Sequence, residues 1–296
     1  MQAIRLLRSG VLAVIVALSP AARAQDETYI ALGDSLAFGI TDTPSYIAPS
    51  NGDRGYVAPY ADWLASGSGG IRPHVVNLAI FGETTGSFFD TTNSFRQYNT
   101  NYPAGGPSQS VRFAQAVADE AAAGRTISRV TIHVGANDLI QLVTPEFLLL
   151  PPSQQIAQVV GILSQAESNF VNVLGQVRTA LPSAELVTVG FFNPFAAVPG
   201  HPLEMIATPA ILGLNDVVAG VSAVYGARYV DVYGAFLGRE AELTYMLSED
   251  PIGMNAHANA AGYAVMAAQI IPAPGVIVLL LGAAGLSAAK RRRSAA

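Results

Sequence analysis

Ser35, in Gly33-Asp34-Ser35-Leu36, follows an apolar run, Thr28-Tyr29-Ile30-Ala31-Leu32, with the composition of a strand. A hydroxyl just past a strand can be offered to a substrate as a nucleophile, and Gly33 lets the chain turn sharply and lets that substrate come close. The same serine can equally cap a helix. Three further blocks carry polar side chains in comparable places: Asn77-Leu78-Ala79-Ile80-Phe81-Gly82-Glu83-Thr84-Thr85, Gly135-Ala136-Asn137-Asp138-Leu139 and His257-Ala258-Asn259-Ala260-Ala261-Gly262-Tyr263. Taken singly, Asn77 reads as a strand-end cap, Asn137-Asp138 as a turn, and His257 as a surface histidine ahead of a C-terminal helix. His74 and His133 fall inside strand patterns and read as structural. His201, between Gly200 and Pro202, reads as a solvated loop residue, the alternative being that it lines a substrate mouth. No two of these histidines stand at helical ligand spacing, and the chain has no cysteine. A thiolate metal site, a cysteine nucleophile and disulfides are thereby excluded, and no metal or organic cofactor is implied.

Elements at the right spacing must place these blocks. Strand candidates are Thr28–Gly33, His74–Ala79, Val130–Val134, Leu186–Phe191 and Ala227–Val232, continuously apolar as strands covered on both faces should be. Helical patterns lie between them at Tyr56–Ala65, Ser108–Ala123, Ser153–Ala180 and Ala210–Tyr225, with a last one near Ala260–Ile271. Pro107 and Pro152 mark helix starts, and Gly124 and Gly226 mark helix ends. Strand–helix alternation predicts a parallel sheet with helices on both faces, whose ligands bind beyond the carboxyl ends of the strands. The polar stretches 40–54, 66–71 and 84–107 are expected as surface loops over that end.

In this order and at these strand ends, the four blocks resemble the SGNH (GDSL) hydrolase superfamily, over essentially all of residues 27–271. The resemblance implies a flavodoxin-like three-layer α/β/α sandwich around a mainly parallel five-stranded sheet, and ester hydrolysis by a serine nucleophile. Carried over position by position, it makes Ser35 the nucleophile and His257 the general base. Ser35, Gly82 and Asn137 become the oxyanion donors. The chemistry suits these types: imidazole titrates near neutral pH and can take the serine proton, and backbone N–H groups with a carboxamide can hold an oxyanion.

One position departs from the pattern. The family commonly has an aspartate two or three residues before the histidine, where this chain has Asn255 and Met254. Asp250 could reach the ring if Pro251-Ile252-Gly253 folds back, Asn255 could accept the Nδ1 hydrogen bond, or a backbone carbonyl could do so. The sequence therefore predicts an exported serine esterase or lipase working through an acyl-enzyme. The alternative is a surface carbohydrate- or lipid-binding protein that kept the fold and lost catalysis. Phe38, Phe81, Phe88, Phe89, Phe191, Phe192 and Phe195 lie near strand ends, where they could line an acyl site or pack a core. Substrates open to the enzyme are small-molecule, lipid or acylated-carbohydrate esters.

Charge separates the ends from the body. The 296 residues are 51% hydrophobic and 12% charged. Without the seven basic residues of the two ends, nine basic and 21 acidic residues remain, a net charge of −12, which argues against nucleic acid as a partner. Residues 1–24 have Arg5 and Arg8, the apolar run Val11–Leu18 and Ala22-Arg23-Ala24, the pattern of a secretory signal cleaved before Gln25. Residues 272–296 join Pro272-Ala273-Pro274 to an apolar Gly275–Ala289 and Lys290-Arg291-Arg292-Arg293. At 15 residues the apolar stretch is about 22 Å of helix, short of a hydrocarbon layer of about 30 Å. The arrangement resembles a PEP-CTERM sorting signal, with Ala273 where that signal has Glu; the alternative is a plain membrane anchor. The expected organisation is a signal peptide (1–24), a hydrolase domain (25–271) and a sorting or anchoring segment (272–296). Its expected partners include export and sorting machinery. The location would be periplasm, cell surface or medium, with membrane anchoring before C-terminal processing.

Overall fold

Successive side chains of the strand β1 (Glu27–Gly33) feed two separate cores. Tyr29 and Ala31 join one apolar cluster, Ile30 and Leu32 the other, as the two-residue repeat of an extended chain requires. The computed structural model of the chain describes residues 26–40, 54–93, 95–96, 105–247 and 255–272. The expected signal peptide, the apolar C-terminal stretch, most of the stretch 40–54 and Asp250 lie outside the described residues.

With β2 (His74–Asn77), β3 (Thr126–His133), β4 (Glu185–Val189) and β5 (Arg228–Val230), β1 forms one parallel sheet in the order β2-β1-β3-β4-β5. The helices are α1 (Ser35–Phe38), α2 (Val57–Gly67), α3 (Gln109–Ala122), α4 (Ala136–Ile140), α5 (Pro145–Leu148), α6 (Pro152–Ala180), α7 (Glu204–Val224), α8 (Tyr233–Phe236), α9 (Glu240–Leu243) and α10 (Ala260–Ile270). Apolar residues of α2 and α10 pack on one face of the sheet, those of α3, α6 and α7 on the other. This is the three-layer α/β/α sandwich expected. Right-handed crossovers account for the division: the connection through α2 runs to one side of β1, and those through α3, α6 and α7 run back the other way. The order reverses between β1 and β3, so a crevice opens beyond their carboxyl ends.

The expected elements all form, with shifted ends. β3 starts at Thr126 rather than Val130, because its first residues are polar: Ser128 donates to Glu27 and Arg129 pairs with Glu185 at 2.9 Å. β4 stops at Val189, since Asn215 of α7 takes over the backbone of Phe191, accepting its N–H at 2.7 Å and donating to its carbonyl at 2.9 Å. α7 begins at Glu204, ahead of Pro209, rather than at Ala210. It is apolar and long enough to cross a membrane, yet Leu214, Val218 and Val221 are buried in the domain's own core. α4, α5, α8 and α9 are too short for an apolar period to register.

Two loop expectations are corrected. The turn 66–71 leads into β2, so it lies at the amino end of the sheet. Within 84–107, Thr84, Thr85, Ser87 and Phe88 are buried, because their polar atoms are satisfied by one another and by Asp138.

Candidate active site

The turn after β1 is held from three sides. Gly33 has φ +140°, and a Cβ there would stand 2.1 Å from the carbonyl oxygen of His133, so only glycine lets β1 approach β3 this closely. Asp34 caps α1, its carboxylate accepting the N–H of Leu36 at 2.9 Å. Asn77, at the end of β2, donates to the carbonyl of Ala37 at 2.9 Å and accepts from Ala79 at 3.1 Å. It is thus the cap expected and also a brace on α1. Ser35 begins this helix, with Nε2 of His257 at 2.8 Å from its Oγ.

His257 reaches that position on a short strap. Thr244 and Ala258 form an antiparallel bridge, Tyr245 N–H donates to the His257 carbonyl at 3.0 Å, and Asn259 N–H donates to Leu243 at 2.9 Å. Asn259 then caps α10 by accepting from Gly262 at 3.0 Å. The ring lies against Phe81, 5.8 Å between centroids. Behind it, the side-chain oxygen of Asn255 lies 2.6 Å from Nδ1. Of the three acceptors the sequence left open, the described residues place Asn255 there.

Asn137 stands in α4, directly after β3, and donates one amide hydrogen to the Glu83 carbonyl at 2.9 Å. Its second amide hydrogen makes no hydrogen bond among the described residues, and Asn137 lines the same cavity as Ser35 and Gly82. Among the described residues no acceptor is paired with the backbone N–H of Ser35 or of Gly82. Gly82 has φ +70°, and a Cβ there would come within 2.7 Å of Phe95. Backbone conformation and Phe95 therefore demand this glycine.

Beneath the site lies a polar network that sequence reasoning missed. The amide of Gln109, fully buried at the start of α3, accepts the Gly33 N–H at 2.6 Å and donates to the Gly33 carbonyl at 2.9 Å and to Glu83 at 3.1 Å. Glu83 also accepts from Ser87, and Asp138 accepts both the N–H and the hydroxyl of Thr85. Burial raises all three nearby carboxyl groups, Asp34 to about 8 and Glu83 to about 7, with Asp138 raised as well; hydrogen bonds oppose the shift in each. The blocks around Glu83 and Asp138 were visible in the sequence, but Gln109 gave no sign beyond following the cap residue Ser108.

The remaining histidines stay out of the site. His133 is fully buried against Phe191, and burial lowers its basicity to about 3. His74 pairs with Glu120 at 3.2 Å. His201 stacks on Phe195 at 5.0 Å and accepts from Leu203 at 3.1 Å.

Ser35, Asn137 and His257 open on a cavity of about 480 Å³ whose other walls are mainly apolar. Phe81, Phe191, Phe192 and Phe195 line it, while Phe38 and Phe88 belong to the cores and Phe89 is exposed.

Residues 31–265 match the model of the GDSL-like Lipase/Acylhydrolase family. No curated protein matches the sequence. Among solved structures, a phospholipase A1 from Streptomyces albidoflavus is 22% identical, covering 81% of this chain and 95% of its own, with a TM-score of 0.51. An acetylxylan esterase from Geobacillus stearothermophilus is 17% identical (84% and 94% covered, TM-score 0.50), and an extracellular lipase from Streptomyces rimosus 18% (81% and 96%, TM-score 0.50). At these identities the likeness concerns the fold.

Proposed function

From the premise that the chain belongs to the GDSL-like lipase/acylhydrolase family, and is an ester hydrolase, we propose an exported serine esterase that cleaves through an acyl-enzyme and prefers apolar acyl groups. The observation that carries the reading is the 2.8 Å contact between Ser35 Oγ and His257 Nε2 at the mouth of an apolar cavity. His257 takes the Ser35 proton as Oγ attacks the ester carbonyl. The oxyanion is held by the N–H groups of Ser35 and Gly82 and by the Asn137 amide. The imidazolium returns its proton to the leaving alcohol, and water activated by His257 then releases the acid.

About 480 Å³ falls in the ordinary range of ligand pockets and exceeds what an acetyl group fills. Val143, Phe191, Phe195, Ile206 and Ile211 offer it no hydrogen bonds, which favours a hydrocarbon chain over a sugar on the acyl side. Export rests on Arg5, Arg8, the apolar run Val11–Leu18 and Ala22-Arg23-Ala24, and anchoring or sorting on residues 272–296. The non-catalytic alternative rested on the missing carboxylate, and Asn255 supplies the acceptor the imidazole needs.

The test is labelling with a fluorophosphonate, alongside turnover of p-nitrophenyl butyrate. Labelling and turnover are expected in the full chain and absent from Ser35→Ala and His257→Ala. An unlabelled, inactive parent protein would leave the binding-protein reading standing.

A further inference from the structure

The cavity opens onto an apolar face that the fold leaves uncovered. Ile140 and Val143 line the cavity and are also exposed, at 51% and 40%. Beside them Leu149, just past α5, is 86% exposed, and Met205 on α7, next to the cavity-lining Ile206, is 86% exposed. α6 completes the rim. All its buried residues lie from Ala166 onward, whereas Ile156 and Val160, one turn apart and flanking the cavity-lining Val159, are 64% and 59% exposed. Gln155 ties this free half of α6 to the carbonyl of Phe147 at 3.1 Å, so the two helices present one surface.

Cations are missing from this face, whose carboxylates are Glu146 and, at the start of α7, Glu204. From Leu139 to Ala166 the only ionisable residue is Glu146, and from Val130 to Ala227 the only Lys or Arg is Arg178. Exposed apolar side chains around the cavity mouth, interspersed with uncharged Gln, Ser and Thr and without cations, fit a lipid layer held by hydrophobic contact and offer nothing to recruit anionic headgroups. The sequence also carries its expected membrane segment from Gly275, directly after the described domain.

We propose that the rim formed by α4, α5, the first half of α6 and the start of α7 docks on the surface of neutral or zwitterionic lipid, so that an ester chain passes from the lipid into the cavity without crossing water. This rests on the acyl reading of the cavity, and its test is independent of turnover. Because the chain has no native cysteine, single cysteines can report local environment. Leu149→Cys and Ile156→Cys, each in the full chain with Ser35→Ala, carry an environment-sensitive dye. Ala121→Cys, exposed near the end of α3 at the amino side of the sheet, is the control.

Phosphatidylcholine vesicles are expected to raise and blue-shift emission several-fold at 149 and 156, at low and high salt alike, with little change at 121. No change at 149 and 156, an equal change at 121, or a response confined to anionic vesicles and abolished by salt overturns the proposal. So does an equal response to protein concentration without vesicles, which would make the face a contact between two copies. Failure of the esterase reading would show separately, as loss of fluorophosphonate labelling in the parent.

Discussion

The side-chain oxygen of Asn255 accepts the backbone N–H of His257 at 3.1 Å and lies 2.6 Å from Nδ1 of the same residue. A backbone N–H can only donate, so the atom facing it is the amide oxygen and not the NH2 group. That oxygen can meet Nδ1 only as an acceptor. The imidazole proton therefore sits on Nδ1, and Nε2 is free to accept from Ser35. An amide secures the tautomer that a carboxylate secures in a Ser-His-Asp triad, but it sets no negative charge beside the imidazolium.

Asn255→Asp supplies that charge. Opposite unit charges about 4 Å apart are worth about 4 kcal/mol at an effective dielectric of about 20, part of it already felt before the transition state. The expected gain in kcat is about tenfold or more with little change in KM. Asn255→Leu keeps the bulk, removes the acceptor and is expected to cost roughly 100-fold. Steady-state kinetics on p-nitrophenyl butyrate decide it; two indifferent variants would mean that Asn255 does not orient the ring.

On the proposed mechanism, Asn137→Ala removes one oxyanion donor while leaving Ser35 and His257 in place. Loss of such a donor costs roughly 10²–10³ in kcat. KM should hardly move, since the amide is aimed at charge that develops only during reaction. An effect on KM alone would assign Asn137 to ground-state binding.

Gln109 ties the turn carrying Ser35 to the loop carrying Gly82 and Glu83. Gln109→Met leaves the Gly33 N–H without its acceptor, a loss of about 1–3 kcal/mol. If the tie positions the nucleophile against the oxyanion donors, kcat falls about tenfold at temperatures well below Tm while KM holds, and Gln109→Asn falls between the two. A lowered Tm with unaltered kinetics would make Gln109 structural only.

Each methylene moved from water into the cavity is worth about 0.8 kcal/mol, or about fourfold in kcat/KM. Activity on p-nitrophenyl esters should therefore climb steadily with acyl length until the space is filled. Ala207→Phe, which narrows the wall, should cut off the long end of the series and spare butyrate. A flat series in the parent protein would remove the cavity from the acyl side of the reaction.

What could be read from the chain divides by distance along it. β1, β3 and β4 announce themselves because strands buried on both faces need unbroken apolar runs, and Ser35, Asn137 and His257 stand where such runs end or a terminal helix begins. Gln109 contacts Gly33 across 76 positions through a side chain that no local pattern distinguishes. The cavity was equally hidden, because Phe191 and Phe88 look alike in sequence and pack in the same core, yet only Phe191 also reaches the cavity. Asn255 was one of three candidates, and only the strap through Thr244 and Ala258 picks it out among the described residues.

The buried carboxyl groups predict how stability depends on pH. Burial lifts Glu83 from 4.5 to about 7, against hydrogen bonds from Ser87 and Gln109 and the charge of Arg96, and lifts Asp34 to about 8. Between the ordinary carboxyl range and those values the folded protein holds protons that the unfolded chain has released. Their contribution is therefore present in full below the ordinary values, 4.5 for Glu83 and 3.8 for Asp34, and is lost as pH rises through about 7 and then about 8. Glu120 works in the opposite sense: its hydrogen bond to Arg125 holds it near 2, so its contribution is present in full above about 4.5 and is lost as pH falls from there through about 2. Tm should then peak in mild acid and decline toward pH 8. Glu83→Gln, neutral at every pH and still able to accept from Gln109, should flatten the decline up to about pH 7 and leave the part due to Asp34. Melting curves of both proteins across this range provide the check; parallel declines would mean that Glu83 does not titrate there.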